Sequence, residues 1–497
     1  MSLAKLTLIF LLAHVASALF FVLGRAPGTD AAWVGFPLDD AWIHMVYGRS
    51  LAALQGFAYN PGELETGSSS PLWAVALALA SWAARLFGTS IVLPAKALGV
   101  LAASGASLGA AYLLRRLGFG LAAQLAAGLA VAADPALALA QVSGMEVMLA
   151  SALALWALAA LAAERYLAAS ICAALAPLAR PELALLTLLV LVVAEYRLRA
   201  RKASPGLRVL LLAPTVVLVG GWVLFCWLVS GYPLPNTFYA KLASRQDYFT
   251  HNLALIFAQV LPASPWFARG AGAVLWGVGG VVLARRGLLA GLAAAFPLVF
   301  WLGVASSNLL KQPEPFYWQR YLLPVLPLVL ATVAVGACHT LAWAWQVRRG
   351  AWAKARAVMA VLLVTGALFD LPRALAAKAD LFAWNCQNIE ELNVAMARWL
   401  RDHTGADETI AVTDAGAARY FAGRYIIDVL GLNDHRLLHG ERERMLELAR
   451  VRTVASFPSG VAFLRSDPAW RLVHRVATRH LTICDCPQSE IVAYRRY

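Results

Sequence analysis

The chain has 497 residues, of which 61% are apolar and 14% charged, with a net charge of +14. That balance excludes an ordinary soluble enzyme and points to an integral membrane protein. The positive charge does not point to nucleic acid, because Arg and Lys gather in short clusters between apolar runs (Arg197–Lys202, Arg285-Arg286, Arg348-Arg349), the pattern of membrane topology.

The first apolar run, from about Ala4 to Gly24, is too long, and too polar beyond its end, to be a cleaved signal with an A-x-A site, so it reads as a retained helix. Further runs centre near residues 79, 104, 127, 155, 173, 189, 219, 275, 296, 333 and 362. Placing Arg197–Lys202 inside puts Arg285-Arg286 and Arg348-Arg349 inside too. Loops 231–264 and 305–320, and everything after Leu371, then lie outside. Working back from the same anchor, Arg180-Pro181-Glu182 and Ser143–Glu146 are outside, while Glu164-Arg165, Arg115-Arg116 and Lys5 are inside.

Between Lys5 and Arg115 an even number of crossings is required, yet three apolar runs lie there. The run from Pro71 is the weakest, apolar over about 15 residues or roughly 22 Å, short of the hydrocarbon core. It is expected to lie at the outer interface. Eleven spans result, with the amino terminus inside and the carboxyl terminus outside; 119–133 and 166–179 are short as well.

Residues 1–371 are thus the membrane part and 372–497 a soluble α/β domain. In the latter, "TIAVTD", "YIIDVLG", "RTVASF" and "EIVAYRRY" read as strands, and Ile389–His403 as helical. Cys172, Cys226 and Cys338 are packing residues within spans. In an oxidising compartment Cys386 could pair with Cys484 or Cys486.

With sides assigned, the unusual polar residues collect on the outer face: Asp39, Asp40, His44, Glu63, Glu65, Asp134, Glu146, Arg180, Glu182, Lys241, Lys311 and Arg320. Each charge at membrane depth costs about 2.5–3.5 kcal/mol on insertion scales, so such residues mark sites. Glu146 and Glu182 have two readings, a site role or a structural one, capping a helix or pairing with Arg180. Asp134 before a proline reads as a helix breaker, and Lys311 as a solvated loop lysine. Asp39-Asp40 follows a span and precedes an amphipathic stretch and a turn-rich loop, "AYNPGELETGSSSPLW". Two like charges in one place raise one pKa, which suits a proton acceptor. Arg180, Lys241 and Arg320 could hold a lipid phosphate.

Asp39–Ile43, Tyr59–Glu63 and Gly67–Trp73 together resemble the first extracytoplasmic loop of the arabinofuranosyltransferase-like branch of the GT-C glycosyltransferases. Ser143–Glu146, Arg180–Glu182, Pro235–Lys241, Gln319–Leu322, Asp414–Gly416 and Ile427–Asp434 resemble that branch in the same order. The resemblance implies a polytopic GT-C fold, about eleven transmembrane helices plus interfacial helices in the first periplasmic loop, with the soluble domain on the periplasmic side of a bacterial inner membrane. It implies inverting transfer of a sugar, arabinofuranose or a related pentose or hexose, from a polyprenyl-phosphate donor to a glycan, lipid or protein acceptor of the cell envelope. Asp39 would be the general base with Asp40 as its helper, Lys241, Arg320 and Arg180 the donor-phosphate ligands, and Glu146 and Tyr239 substrate-binding. Many relatives carry Arg-Tyr where this chain has Val46-Tyr47, and His44, four residues after Asp40 and on the same helix face, stands in as a partner for donor or base or is simply an interfacial histidine. The scheme demands no metal, although Asp39 and Asp40 could hold a divalent cation.

Two other classes fit a polytopic chain. A transporter or flippase of lipid-linked sugars would show inverted repeats and mid-membrane charges, and neither is evident. A non-catalytic envelope-glycan scaffold would have no need of the retained aspartates and basic residues.

Overall fold

The computed structural model describes residues 1–23, 26–242, 266–306, 319–345, 351–483 and 489–497. Each apolar run found in the sequence lies on a helix. Among the described residues six helices are long and apolar enough to cross a membrane, or seven if the bent pair Leu121–Ala133 and Pro135–Val142 forms one span. Pro71–Phe87, Val147–Ala162, Tyr166–Ala179 and Ala268–Ala284 are shorter apolar helices, and a count of eleven requires shorter helices as well. The chain is a multi-pass membrane protein.

Local sequence sets the breaks that position the site. Asp134 is extended because Pro135 disfavours helical backbone before it. Its Oδ1 accepts from the amides of Ala136 and Leu137 at 3.0 and 2.9 Å, which caps the next helix, and the two helices bend by 62°. The short second helix ends at Val142, so the Ser143–Glu146 turn comes directly before the helix Val147–Ala162.

Inside the bundle, His14 is fully used, with Nδ1 2.8 Å from Gln141 Oε1 and Nε2 2.8 Å from Ser107 Oγ. This buried histidine ties the helix Leu3–Leu23 to Val92–Arg116 and Pro135–Val142. Gly279 and Gly336 let the helices Trp266–Ala284 and Leu326–Trp345 touch, since a Cβ at either would lie 1.9 Å from a carbonyl of the other helix, the close approach that small residues permit in membranes.

The C-terminal part begins with a helix, Leu371–Ile389, that continues through a π turn into Ala395–His403. Five strands follow: β1 (Thr409–Val412), β2 (Tyr425–Asp428), β3 (Thr453–Ser456), β4 (Trp470–Ala477) and β5 (Glu490–Arg496), in the order β2-β1-β3-β5-β4. β1 pairs in parallel with β2 and β3, whereas β5 runs antiparallel to β3 and β4. Four strands were legible in the sequence. β4 was not, because as an edge strand it is solvated on both faces and lacks a buried stripe.

This unit is bonded onto the segment after the first helix. Asn60 Nδ2 donates to the Ile426 carbonyl at 2.8 Å, and the Ile426 amide donates back to Asn60 Oδ1 at 3.1 Å, as a neighbouring strand would. Tyr59 donates its hydroxyl hydrogen to the Ala415 carbonyl at 2.6 Å, and Arg419 Nε donates to the Tyr59 carbonyl at 2.8 Å. Trp42 packs on Tyr420 and Phe421 with ring centroids 4.9 and 4.6 Å away.

Candidate active site

Leu38 is extended and the helix Asp39–Ala52 starts at the aspartates, so both carboxylates sit in its first turn, where the helix dipole favours negative charge. Consecutive helical residues point about 100° apart, and the pair divides accordingly. Asp39 is buried and faces the C-terminal unit. Its Oδ2 accepts from the Gly416 amide at 2.7 Å and its Oδ1 from the Ala417 amide at 2.8 Å. Asp40 has 32% of its side chain exposed, and its Oδ2 accepts from Arg320 Nη2 at 2.6 Å.

Burial, and after it the neighbouring Asp414, push the Asp39 carboxyl up to about 8, against the two amides that favour its charge. Burial likewise pushes Asp414 up to about 6, with a hydrogen bond from Asn393 opposing and Asp40 adding to the rise.

Around Arg320 the basic and acidic residues converge. Arg180 and Arg320 both lie against the ring of Tyr321, 4.7 and 5.2 Å from guanidinium carbon to centroid. One aromatic ring therefore gathers two permanent cations. Arg180 donates to Glu146 at 2.6 Å and to Glu182 at 3.1 Å, so both glutamates pair with it. His44 Nε2 lies 3.2 Å from Glu146 Oε2. The histidine thus meets Glu146, and its Nδ1 is buried with no hydrogen-bond partner among the described residues.

The other expected residues lie elsewhere. Tyr239 packs with Tyr232 and His439, at 5.2 and 5.6 Å between centroids. Lys241 is the penultimate residue of the helix Asn236–Leu242, but its side chain, with Lys311, Cys484 and Cys486, lies outside the described residues. Cys386 is a buried free thiol. Among the described residues no group of three or more His, Cys, Asp or Glu is placed to hold a metal ion.

Sequence reasoning missed three features. Tyr321 carries no signal beyond its place in the Gln319–Leu322 motif, and no spacing along the chain reveals that Asp414, bonded to Asn393, lies beside Asp39. The third is a junction in which Glu65 Oε1 lies 2.9 Å from His435 Nδ1, while Glu65 Oε2 accepts from Asn236 Nδ2 at 3.2 Å. A cleft of about 470 Å³ touches Glu63, Tyr425 and Arg444. It opens where β1 and β2 begin, at the strand ends remote from Asp39, and of the outer-face polar residues singled out in the sequence it includes Glu63.

A family model described as a domain of unknown function (DUF8728) matches residues 385–494. No curated protein matches the chain in sequence. Among solved structures, ArnT from Cupriavidus metallidurans bound to undecaprenyl phosphate is similar over 98% of this chain and 97% of its own, at 13% identity and a TM-score of 0.59. The archaeal oligosaccharyltransferase AglB from Archaeoglobus fulgidus, in complex with an inhibitory peptide and a dolichol-phosphate, is similar over 91% of this chain and 69% of its own, at 11% identity and a TM-score of 0.56. The mycobacterial arabinofuranosyltransferase AftD aligns over 100% of this chain and 42% of its own at 14% identity, but its TM-score of 0.46 is too loose to bear on the fold. The chain therefore shares its overall fold with ArnT and AglB.

Proposed function

We propose that the protein is an inverting glycosyltransferase that moves a sugar from a polyprenyl-phosphate donor to a cell-envelope acceptor, at the outer face of a bacterial cytoplasmic membrane. The observation that carries the reading is Asp40 held 2.6 Å from Arg320, with Arg180 gathered on the same tyrosine ring, in a chain of GT-C fold. Two proteins of similar fold have been solved with a polyprenyl-type phosphate bound, which supports a donor of that class.

In this scheme Asp40 is the base. Asp39 has both oxygens committed to Gly416 and Ala417, whereas Asp40 keeps exposed surface with which to meet a hydroxyl. Asp40 takes the acceptor proton as the acceptor oxygen attacks the anomeric carbon from the face opposite the phosphate. The bond from that carbon to the phosphate oxygen breaks, and polyprenyl phosphate leaves with the electron pair. Arg320 and Arg180 offset its charge. His44 Nδ1 offers a buried polar contact to a sugar hydroxyl. No step needs a metal, so a chelator is expected to leave transfer unchanged.

The experiment is to delete the gene and identify the lipid-linked sugar that accumulates by mass. Build-up of one polyprenyl-phosphate sugar supports the reading and names the sugar; an unchanged lipid-linked pool overturns it.

A further inference from the structure

The C-terminal unit breaks a local rule at one place. The helix Ala415–Ala422 has Asp414 at its N-cap, yet that side chain makes no capping hydrogen bond. Its carboxylate accepts instead from Asn393 Nδ2 at 2.9 Å. The amides of Gly416 and Ala417, the second and third helical residues, are those an N-cap side chain ordinarily satisfies. They donate to Asp39, 377 positions away from Gly416. The cap comes from the membrane part of the chain.

The location adds to this. β1 has parallel neighbours on both sides, so the C-terminal ends of β1 and β3 flank the point where strand order reverses. Open α/β sheets bind ligands there, with anions at the helix N-terminus. In this protein the crevice beside Thr413, Asp414 and Ser456 measures about 20 Å³, room for about one water. The carboxyl group of Asp39 occupies the helix N-terminus. Glycine is needed at 416, because a Cβ there would lie 2.1 Å from the Asp39 carbonyl oxygen and 2.8 Å from its Oδ2.

We infer that the C-terminal α/β unit is a positioning part of the transfer site: its Asp414–Ala417 turn holds Asp39, fixes the rotation of the first-loop helix and thereby sets Asp40 against Arg320. Asp39, Asp414 and Gly416 are positioning residues. The inference deepens the proposed function and rests on Asp40 as base. It also gives a task to a region whose family model carries none.

The test uses full-length protein in detergent and two variants, Asp39→Asn and Gly416→Ala. Amide hydrogen exchange needs no activity. In Asp39→Asn one acceptor oxygen becomes an NH2 donor, so one of the two amides, Gly416 or Ala417, is expected to lose about tenfold protection, the scale of one cap hydrogen bond, with β5 amides unchanged. Turnover per donor-binding site, with sites counted by equilibrium donor binding, separates positioning from misfolding. Both variants are expected to lose about 100-fold per site, the scale of a 1 Å misplacement, with donor KM within about twofold. Unchanged protection in Asp39→Asn, or full turnover per site in both variants, overturns the inference. If the wild type transfers no sugar from a polyprenyl-phosphate donor, the proposed function fails, while the exchange result still decides the cap.

Discussion

Asp40 and Arg320, 280 positions apart, meet at 2.6 Å through Oδ2 and Nη2. The carboxylate comes from the first turn of a loop helix and the guanidinium from the short 3-10 turn Gln319–Tyr321, ahead of the apolar helix Leu326–Trp345. Neither partner lies in the interior of a span. Replacing Asp40 by Asn keeps the shape and removes the base, and kcat is expected to fall by about 10²–10⁴-fold, measured as sugar transferred per minute by purified protein. Arg320→Lys keeps the charge but loses the planar contact with Tyr321, so it should raise the donor KM; an unchanged KM would remove Arg320 from the phosphate site.

Glu146 joins Arg180 and His44 in a buried cluster. Glu146→Gln leaves Arg180 with only Glu182 as its carboxylate partner among the described residues, and breaking a buried pair from one side costs about 3–5 kcal/mol. The apparent Tm in detergent should drop, and the double variant Glu146→Gln, Arg180→Met should recover part of the loss. A single variant that melts with the wild type would show that the pair does not hold the site.

Asp39 and Asp414 are raised from the ordinary 3.8 to about 8 and about 6, in each case by burial first. The folded form therefore holds protons that the unfolded chain releases. The stabilisation is fully present below pH 3.8 and is lost as pH rises through about 6 and then about 8. Tm is expected to decline between pH 5 and pH 8.5, about the window of these two groups, and to decline less steeply in Asp39→Asn. A Tm that climbs across that interval in the wild type would be the contrary result.

Orientation follows from the basic clusters. With the native cysteines replaced, Thr89→Cys after the helix Pro71–Phe87 should react with an impermeant maleimide from outside intact cells, and Lys202→Cys only after lysis. The reverse pattern would invert the assignment.

The fold was legible wherever one physical signal dominated. Apolar length gave the helices, and β-branched runs flanked by turn residues gave four strands. The acidic pair stood out because charge beside a membrane is costly. Its division of labour was not legible, because which aspartate meets Arg320 depends on the rotation of a helix fixed by Gly416 and Ala417, far along the chain. The family pattern suggested Asp39 as base, while the two amide bonds on Asp39 favour Asp40 for that role. His44 was read as a partner for donor or base, or an interfacial residue, and it meets Glu146, a pairing that no spacing along one helix reveals. Tyr321 was hidden because an aromatic next to an arginine is ordinary in sequence, and only the arrival of Arg180 on the same ring gives it meaning.

The most direct measurement is transfer from a purified polyprenyl-phosphate sugar by wild type and Asp40→Asn, with donor binding followed in parallel. The account predicts that Asp40→Asn binds donor and barely transfers the sugar. Transfer at the wild-type rate would contradict it.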